Sequence, residues 1–299
     1  MIVIGVLAAV AVVAGVSAWM ALRRWPLLDP GAPAGAVRIV GDEVRSEATP
    51  SMVRKRLDPA TGAGLGLTVG VGIVVFGGAV LAGLAFLVRS NASLLSLDRS
   101  VATWGATNAT DLSTTLLRGI TQLGSTTAVV VVAVIVAATR IRTRRAPTMV
   151  GFLVVVILGQ NLIANLVKLG VDRVRPNIHP LAGFSGASFP SGHTTAAFAT
   201  FAACALVLGR GRGPRVQAGL MGAAIGIGTA VGMSRMLLGV HWMTDVIGGC
   251  ALGLAWFSIS AIAFGGRLLQ FGAPVEAGQR AARLADAVEE NSTAPTRDE

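Results

Sequence analysis

Long runs of apolar residues divide this chain, and short polar stretches separate them. The first run, residues 2–22, reads IVIGVLAAVAVVAGVSAWMAL, and the six others are 65–88, 121–139, 148–167, 192–209, 216–233 and 246–265. About 20 apolar residues are enough to cross a bilayer as a helix, whereas a globular strand is much shorter. The runs are rich in Ala, Gly, Val and Leu, and the small residues among these let membrane helices pack closely. The pattern predicts an all-α, polytopic membrane helical bundle with a six-helix core plus one extra N-terminal transmembrane helix.

The composition agrees with a membrane location. Of the 299 residues, 53% are hydrophobic and only 13% are charged, and the mean hydropathy is +0.68. A soluble domain carries about 25% charged residues. Cys204 and Cys250 both fall inside apolar runs, so we expect packing residues rather than a disulfide. Because the sequence has no C-x-x-C pair and no His-rich tract, we expect neither a metal site nor another cofactor.

The basic residues are unevenly distributed between alternate loops. Segments 23–56, 140–145 and 210–215, with the chain after residue 266, carry 18 of the 25 Lys and Arg residues. The positive-inside rule makes this side cytoplasmic. The net charge of +10 then reflects topology, and we expect no nucleic-acid partner. The seven extracytoplasmic cations are Arg89, Arg99, Arg118, Lys168, Arg173, Arg175 and Arg235. We interpret Arg173 as a partner of its neighbour Asp172, and contact with the substrate is the alternative.

These features divide the chain into four parts. They are an N-terminal transmembrane helix (1–25), a cytoplasmic loop or linker (26–60), a six-transmembrane domain (61–266) and a partly disordered cytoplasmic tail (267–299). An alternative for the first part is a cleaved signal peptide. It has no basic n-region and a basic loop follows it, so we favour a retained span with its N-terminus outside.

Three stretches place ionisable groups at the outer ends of apolar runs, where such groups are costly in hydrocarbon. They are KLGVDRVRP (168–176), FPSGHTT (189–195) and SRMLLGVHWMTD (234–245). Because consecutive spans alternate in direction, all three stretches face the same side, and we expect one site there. Segment 91–118 is polar and apolar by turns, and we expect an interfacial helix over the outer mouth of the bundle.

The cations in these stretches have few acids nearby. Lys168, Arg175 and Arg235 therefore favour an anion, and phosphate suits the planar fork of an arginine. Ser191 and Gly192 stand where a helix begins. There, free backbone N–H groups bind anions, and glycine lets a ligand come close. We expect these five residues to bind phosphate.

Two histidines have separate roles available to them around such a phosphate. His241 and Asp245 are spaced i, i+4, so on a helix they share a face. A carboxylate on one ring nitrogen fixes the tautomer and leaves the other nitrogen free to attack. His193 can act as a general acid for the departing oxygen, an effect worth roughly 10²–10⁴ in rate. This arrangement predicts phosphoryl transfer through a phosphohistidine.

The three stretches also match known motifs. KLGVDRVRP fits K-x6-R-P, PSGH is intact, and SRMLLGVHWMTD fits S-R-x5-H-x3-D. Together they resemble the type 2 phosphatidic acid phosphatase family, in the superfamily of lipid phosphatases and vanadium haloperoxidases. The resemblance covers residues from about 66 to 265 and implies a metal-independent phosphatase. It implies that His241 is the nucleophile, that Asp245 orients it, and that His193 protonates the leaving group. The implied phosphate ligands are Lys168, Arg175, Ser191, Gly192 and Arg235.

The predicted activity is hydrolysis of a lipid phosphate or diphosphate at the extracytoplasmic face of the cell membrane. We rank a polyprenyl diphosphate first, such as undecaprenyl diphosphate in cell-envelope synthesis, because the extra cations can take a second phosphate. Phosphatidic acid and phosphatidylglycerol phosphate are the other candidates.

One alternative function is that of a phosphotransferase with an acceptor other than water. A second is a non-enzymatic anion or lipid transporter, which the lack of ionisable residues in the middle of the spans disfavours. The oligomeric state and the role of residues 1–60 stay open.

Overall fold

The computed structural model describes residues 2–24, 62–90, 95–143, 146–178, 180–183 and 185–268. The predicted linker 26–60 and nearly all of the predicted tail 267–299 lie outside these residues. Within them, the regular secondary structure is helical, with no strand.

Nine helices form the described part of the chain. They are α1 (Ile2–Arg24), α2 (Gly62–Arg89), α3 (Leu95–Thr107), α4 (Asp111–Gln122), α5 (Thr126–Arg140), α6 (Ala146–Val171), α7 (Gly192–Gly209), α8 (Pro214–Leu237) and α9 (Met243–Leu268). In this part of the chain, α1, α2 and α6 to α9 are each long and apolar enough to cross a membrane. The bent pair α4–α5 makes a seventh span if it counts as one. The predicted all-α membrane bundle with an N-terminal span is confirmed.

The predicted span 121–139 falls mostly on α5, and a bend near its start separates α5 from α4. Helices α4 and α5 meet at a bend of 52° around residues 123–125. The side chain of Ser125 caps α5 by accepting a hydrogen bond of 3.2 Å from the N–H of Ala128. Gly124 lies so close to α7 that an added Cβ would sit 2.6 Å from one of its carbonyl oxygens. The apolar pattern misses this bend because Leu, Gly and Ser are all acceptable inside a membrane helix.

Helix α7 lies at the buried centre of the bundle, between α5, α6, α8 and α9. Its sequence, GHTTAAFATFAACALVLG, consists mostly of small residues. Glycines on α9 let the backbones of α7 and α9 meet. A Cβ at Gly253 would lie 2.7 Å from the carbonyl oxygen of Thr195 on α7, and a Cβ at Gly249 would lie 2.7 Å from that of Ser191, the N-cap residue of α7. Toward α6, Phe152 and Val156 pack with Ala203 in an apolar cluster. Small residues thus let these helices pack closely against one another.

The N-terminal helix packs along α8. A Cβ at Gly15 would lie 2.9 Å from the carbonyl oxygen of Gly222, so the two helices touch through their backbones. Near the start of α1, Val3 and Leu7 are buried in a cluster with Leu117 of α4 and residues 237, 238 and 240. The beginning of α1 therefore lies at the same end of the bundle as the turn between α8 and α9. The first helix is thus packed against α4 and α8.

Candidate active site

The eight residues that the sequence predicts for the site lie at one end of the bundle. Lys168 is near the end of α6, and Arg175 is in the loop that follows. Ser191 to His193 stand at the start of α7. Arg235 is in the last turn of α8, His241 is in the turn before α9, and Asp245 is in the first turn of α9. The charges of Lys168, Arg175 and Arg235 all act on His193. The structure therefore brings residues from distant parts of the chain into one electrostatic environment.

His241 lies between Arg175 and Asp245. Its Nδ1 is 3.4 Å from Oδ2 of Asp245, and its Nε2 is 3.0 Å from Nη1 of Arg175. Because a guanidinium can only donate, Nε2 must be the acceptor, and the proton of the neutral ring is then on Nδ1, facing the carboxylate. Burial lowers the pKa of His241 to about 4. At neutral pH this residue is an uncharged imidazole with a lone pair on Nε2.

The contact between His241 and Asp245 does not have the helical geometry that the sequence predicts. Helix α9 begins at Met243, so His241 precedes it and lies in the turn that follows α8. Oδ2 of Asp245 accepts a hydrogen bond of 2.9 Å from the N–H of Trp242, as a carboxylate in the first turn of a helix commonly does. This capping bond fixes the carboxylate beside the imidazole.

Arg175 organises the loop around the site. Its Nε donates to the carbonyl oxygen of Gly186 at 2.8 Å, and its Nη2 donates to those of Ser185 and Ala187. Nη1 bonds to the carbonyl oxygen of Val240 at 2.9 Å as well as to the imidazole. These backbone contacts hold the guanidinium in one orientation. An anion bound beside Nε2 of His241 would take the place of the imidazole as the partner of Nη1.

Arg235 has a buried donor that an anion would satisfy. The residue is 5% exposed, and Nη1 donates to the hydroxyl of Thr121 at 3.3 Å. Among the described residues, its Nε has no hydrogen-bond partner. A buried unsatisfied donor costs about 1–3 kcal/mol, and more when it is charged. An oxyanion beside Arg235 would remove that cost.

The start of α7 faces the same cations. Thr194 donates its hydroxyl proton to the hydroxyl oxygen of Ser191 at 2.9 Å, so the proton of Ser191 is left for another acceptor. A Cβ added at Gly192 would lie 3.5 Å from Nζ of Lys168. Any side chain at that position would fill the space beside the ammonium. Glycine keeps this space open at a helix N-terminus, where anions bind.

Sequence reasoning missed a buried charge network behind Asp245. The prediction that Arg173 pairs with Asp172 is wrong, since Nη1 of Arg173 lies 2.5 Å from Oδ1 of Asp245 and Nη2 lies 2.7 Å from Oδ2 of Asp98. Asp98 is on α3, in segment 91–118, which folds as two helices rather than one interfacial helix. The sequence offers one weak signal for it, an acidic residue in a segment with few charges. Ser188 also donates its hydroxyl proton to Asp245.

Taken together, the donors and cations suit a phosphate. Lys168, Arg175 and Arg235 supply positive charge, and α7 supplies the N–H groups of a helix start. Within the described residues, no group of three or more His, Cys, Asp or Glu side chains is arranged to hold a metal ion. A neutral imidazole lone pair beside this anion site is the arrangement that nucleophilic attack on phosphorus requires.

Comparison with known proteins agrees with this geometry. Residues 149–267 match the sequence profile of the PAP2 superfamily. Phosphatidylglycerophosphatase B of Bacillus subtilis is 34% identical over 148 residues, which are 48% of this chain and 70% of that protein. The chain belongs to the PAP2 superfamily. The resemblance to type 2 phosphatidic acid phosphatases is thereby confirmed, and all eight predicted site residues lie within the PAP2 segment, whereas Asp98 lies outside it.

Other PAP2 relatives carry different substrate names. A lipid A 1-phosphatase of Rhizobium johnstonii is 39% identical over 124 residues, which are 38% of this chain and 47% of the relative. A decaprenylphosphoryl-5-phosphoribose phosphatase of Mycobacterium tuberculosis is 37% identical over 110 residues, which are 35% of this chain and 55% of that protein. The chain thus spans about half the length of these two relatives.

A solved structure supports the fold assignment. The crystal structure of a transmembrane PAP2 type phosphatidylglycerolphosphate phosphatase from Bacillus subtilis superposes with a TM-score of 0.58 and 27% sequence identity. The match covers 66% of this chain and 96% of the other. The helical bundle described above is therefore the PAP2 membrane fold.

Proposed function

We propose that this chain is an integral membrane phosphatase that hydrolyses a lipid phosphate through a phosphohistidine at His241. The observation that carries the proposal is the neutral, buried His241, whose Nε2 lone pair contacts Arg175 while its Nδ1 faces Asp245. The three relatives named above are, by name, phosphatases of phosphorylated lipids or lipid-linked compounds.

In the first step, the lipid phosphate replaces the imidazole as the partner of Arg175 Nη1. Nε2 of His241 attacks phosphorus, the bond from phosphorus to the lipid oxygen breaks, and the leaving oxygen takes a proton from His193. Arg175, Arg235 and Lys168 stabilise the equatorial oxygens as their charge changes. The proton on Nδ1 stays with the ring, and Asp245 balances the positive charge that the ring acquires.

In the second step, His193 acts as a base. It takes a proton from water, the water oxygen attacks phosphorus, and the bond between Nε2 and phosphorus breaks. Inorganic phosphate leaves, and His241 returns to its neutral form. His193 thus alternates between acid and base, as the reversal of the first step requires.

The substrate class follows from where the site lies. The cations are at the ends of spans with apolar, exposed outer faces, so a lipid can place its headgroup at the site and its tails in the bilayer. Phosphatidylglycerol phosphate has the support of the relative with 70% coverage and of the solved structure. We therefore place a lipid phosphate monoester ahead of the polyprenyl diphosphate that the cation count alone favours.

We further propose that residues 61–266 form the phosphatase domain and that the site opens on the extracytoplasmic side. The basis for sidedness is the excess of Lys and Arg in segments 23–56, 140–145 and 210–215 and after residue 266 of the sequence. Arg140, the last residue of α5, lies in segment 140–145 at the end of the bundle away from the site, and it donates to the carbonyl oxygen of Leu208 on α7 at 2.6 Å.

The test is a phosphate-release assay with purified protein in lipid micelles. The panel contains phosphatidylglycerol phosphate, phosphatidic acid, undecaprenyl diphosphate and lipid A. We expect release from at least one substrate, an acid-labile phosphoenzyme, and loss of both in His241→Ala. Binding without release from any substrate would refute the phosphatase proposal in favour of a transporter. Phosphate transfer to added alcohols in preference to water would instead identify a phosphotransferase.

A further inference from the structure

The side of His241 that faces away from the phosphate cations is lined by a chain of buried charges. Asp245 holds the imidazole, Arg173 holds Asp245, and Asp98 holds Arg173. All three are nearly inaccessible, with Asp98 at 1%, Arg173 at 8% and Asp245 at 0% exposure. Buried charges of this kind persist only when each is paired and hydrogen-bonded.

Asp98 reaches this network from α3, far from the three motifs in sequence. Its Oδ2 accepts hydrogen bonds from Arg173 Nη2 at 2.7 Å and from the hydroxyl of Thr244 at 2.7 Å. Its Oδ1 accepts from the backbone N–H of Thr244 at 3.0 Å. Asp98 thereby satisfies an otherwise free donor in the first turn of α9, which carries Asp245 one residue later.

The charges of the network do not cancel. Two carboxylates and one guanidinium leave a net charge of −1 behind the imidazole. If Arg173 paired with Asp245 alone, the pair would be neutral and little negative charge would remain for the ring. On the other side of the ring, Arg175, Arg235 and Lys168 are matched to the phosphate instead.

We propose that Asp98 is a positioning and charge-balancing residue for His241. It compensates Arg173, so that the charge of Asp245 remains available to the imidazolium that carries the phosphoryl group. This inference rests on the proposed function, since the ring becomes cationic only when Nε2 is phosphorylated and Nδ1 keeps its proton. Helix α3, which lies outside the PAP2 segment, is then part of the active site.

The test compares kcat and KM of the wild type, Asp98→Asn, the double variant Asp98→Asn/Arg173→Gln and the control Asp111→Asn. Asp111 is an exposed carboxylate at the start of α4, so this control removes the same charge without touching the network. We expect Asp98→Asn to lower kcat about 10-fold to 100-fold, as loss of such supporting partners does, with KM within about threefold. KM is spared because Asp98 does not contact the phosphate-binding cations.

The double variant separates charge balance from a purely structural role. With both substitutions in place, only the carboxylate of Asp245 stays charged, and the network again has a net charge of −1. We therefore expect a kcat at least about threefold above that of Asp98→Asn. Equal or slower turnover in the double variant, or Asp98→Asn turnover equal to that of Asp111→Asn, would overturn the inference. Thermal melting of each variant identifies loss of folding. The double variant has no uncompensated guanidinium in the network, so we expect it to fold.

Two kinds of failure are distinguishable in this experiment. An active wild type with an unaffected Asp98→Asn variant refutes the role of Asp98 and leaves the phosphatase intact. A wild type that releases phosphate from no lipid in the panel refutes the phosphatase, and the role of Asp98 falls with it.

Discussion

Gly124, in the bend between α4 and α5, offers a strong test of how the site is supported. A Cβ added there would sit 2.6 Å from the carbonyl oxygen of His193 and 2.6 Å from Cγ1 of Val231. Neither neighbour can yield easily, since one is backbone and the other is a fully buried side chain. To reach ordinary contact distance, the bend and the start of α7 must separate by about 0.8 Å.

We therefore expect Gly124→Ala to misplace His193 while the protein still folds. A displacement of about 1 Å in a catalytic group can cost about 10²-fold in rate, so kcat should fall between about 10-fold and 100-fold. Overpacking should also destabilise the protein by about 1–3 kcal/mol. Both effects are measured on purified protein, by phosphate release from the best substrate of the lipid panel and by thermal melting.

Gly119→Ala is the matched control for this substitution. Gly119 lies on α4, and nothing lies within 4 Å of where its Cβ would be. Alanine in a helix is favoured over glycine by about 0.5–1 kcal/mol, so this variant should be as active as the wild type and slightly more stable. If Gly124→Ala turned over within twofold of Gly119→Ala, the bend would not position His193 and the reasoning would be refuted.

Three further predictions concern protonation, metals and topology. Protonation of His241 removes its nucleophilic lone pair, so kcat/KM should fall as the pH drops through about 4, the pKa of the buried ring. A fall in kcat/KM centred at 6.5, the ordinary pKa of histidine, would contradict a buried neutral ring. Orthovanadate should inhibit phosphate release and EDTA should not, whereas inhibition by EDTA would indicate a required metal. In intact cells, an impermeant maleimide should label Ser185→Cys, in the exposed loop of the site, but not Thr143→Cys at the opposite end of the bundle. The reverse labelling would show that the predicted topology is inverted.

Much of the bundle was predictable because membrane-spanning helices have a simple physical requirement. Backbone groups in hydrocarbon must be satisfied within the segment, so each long apolar run has to be a helix. The bend at residues 123–125 was not predictable in this way. It depends on Gly124 fitting against the α7 backbone, and that contact joins residues about 70 positions apart in the chain.

The candidate site was predictable to a different degree. Lys168, His193 and His241 stand out because they lie in three motif-bearing stretches at the ends of apolar runs, on the side where the sequence has few basic residues. Asp98 does not stand out, since an acidic residue in a segment of mixed polarity is compatible with an exposed surface, as Asp111 in the same segment shows. Its importance depends on α3 docking against the first turn of α9, which places its carboxylate 2.7 Å from Arg173.

By itself, the sequence determined that this protein is a helical membrane bundle with cations and imidazoles at one end, because hydropathy and charge act locally along the chain. Only the tertiary structure decided which charges pair. It joined Arg173 to Asp98 and Asp245 rather than to its neighbour Asp172, and it left Nε of Arg235 buried without a partner among the described residues. The physical reason is that the energy of a buried charge depends on the few ångströms around it, and those surroundings come from distant segments of the chain.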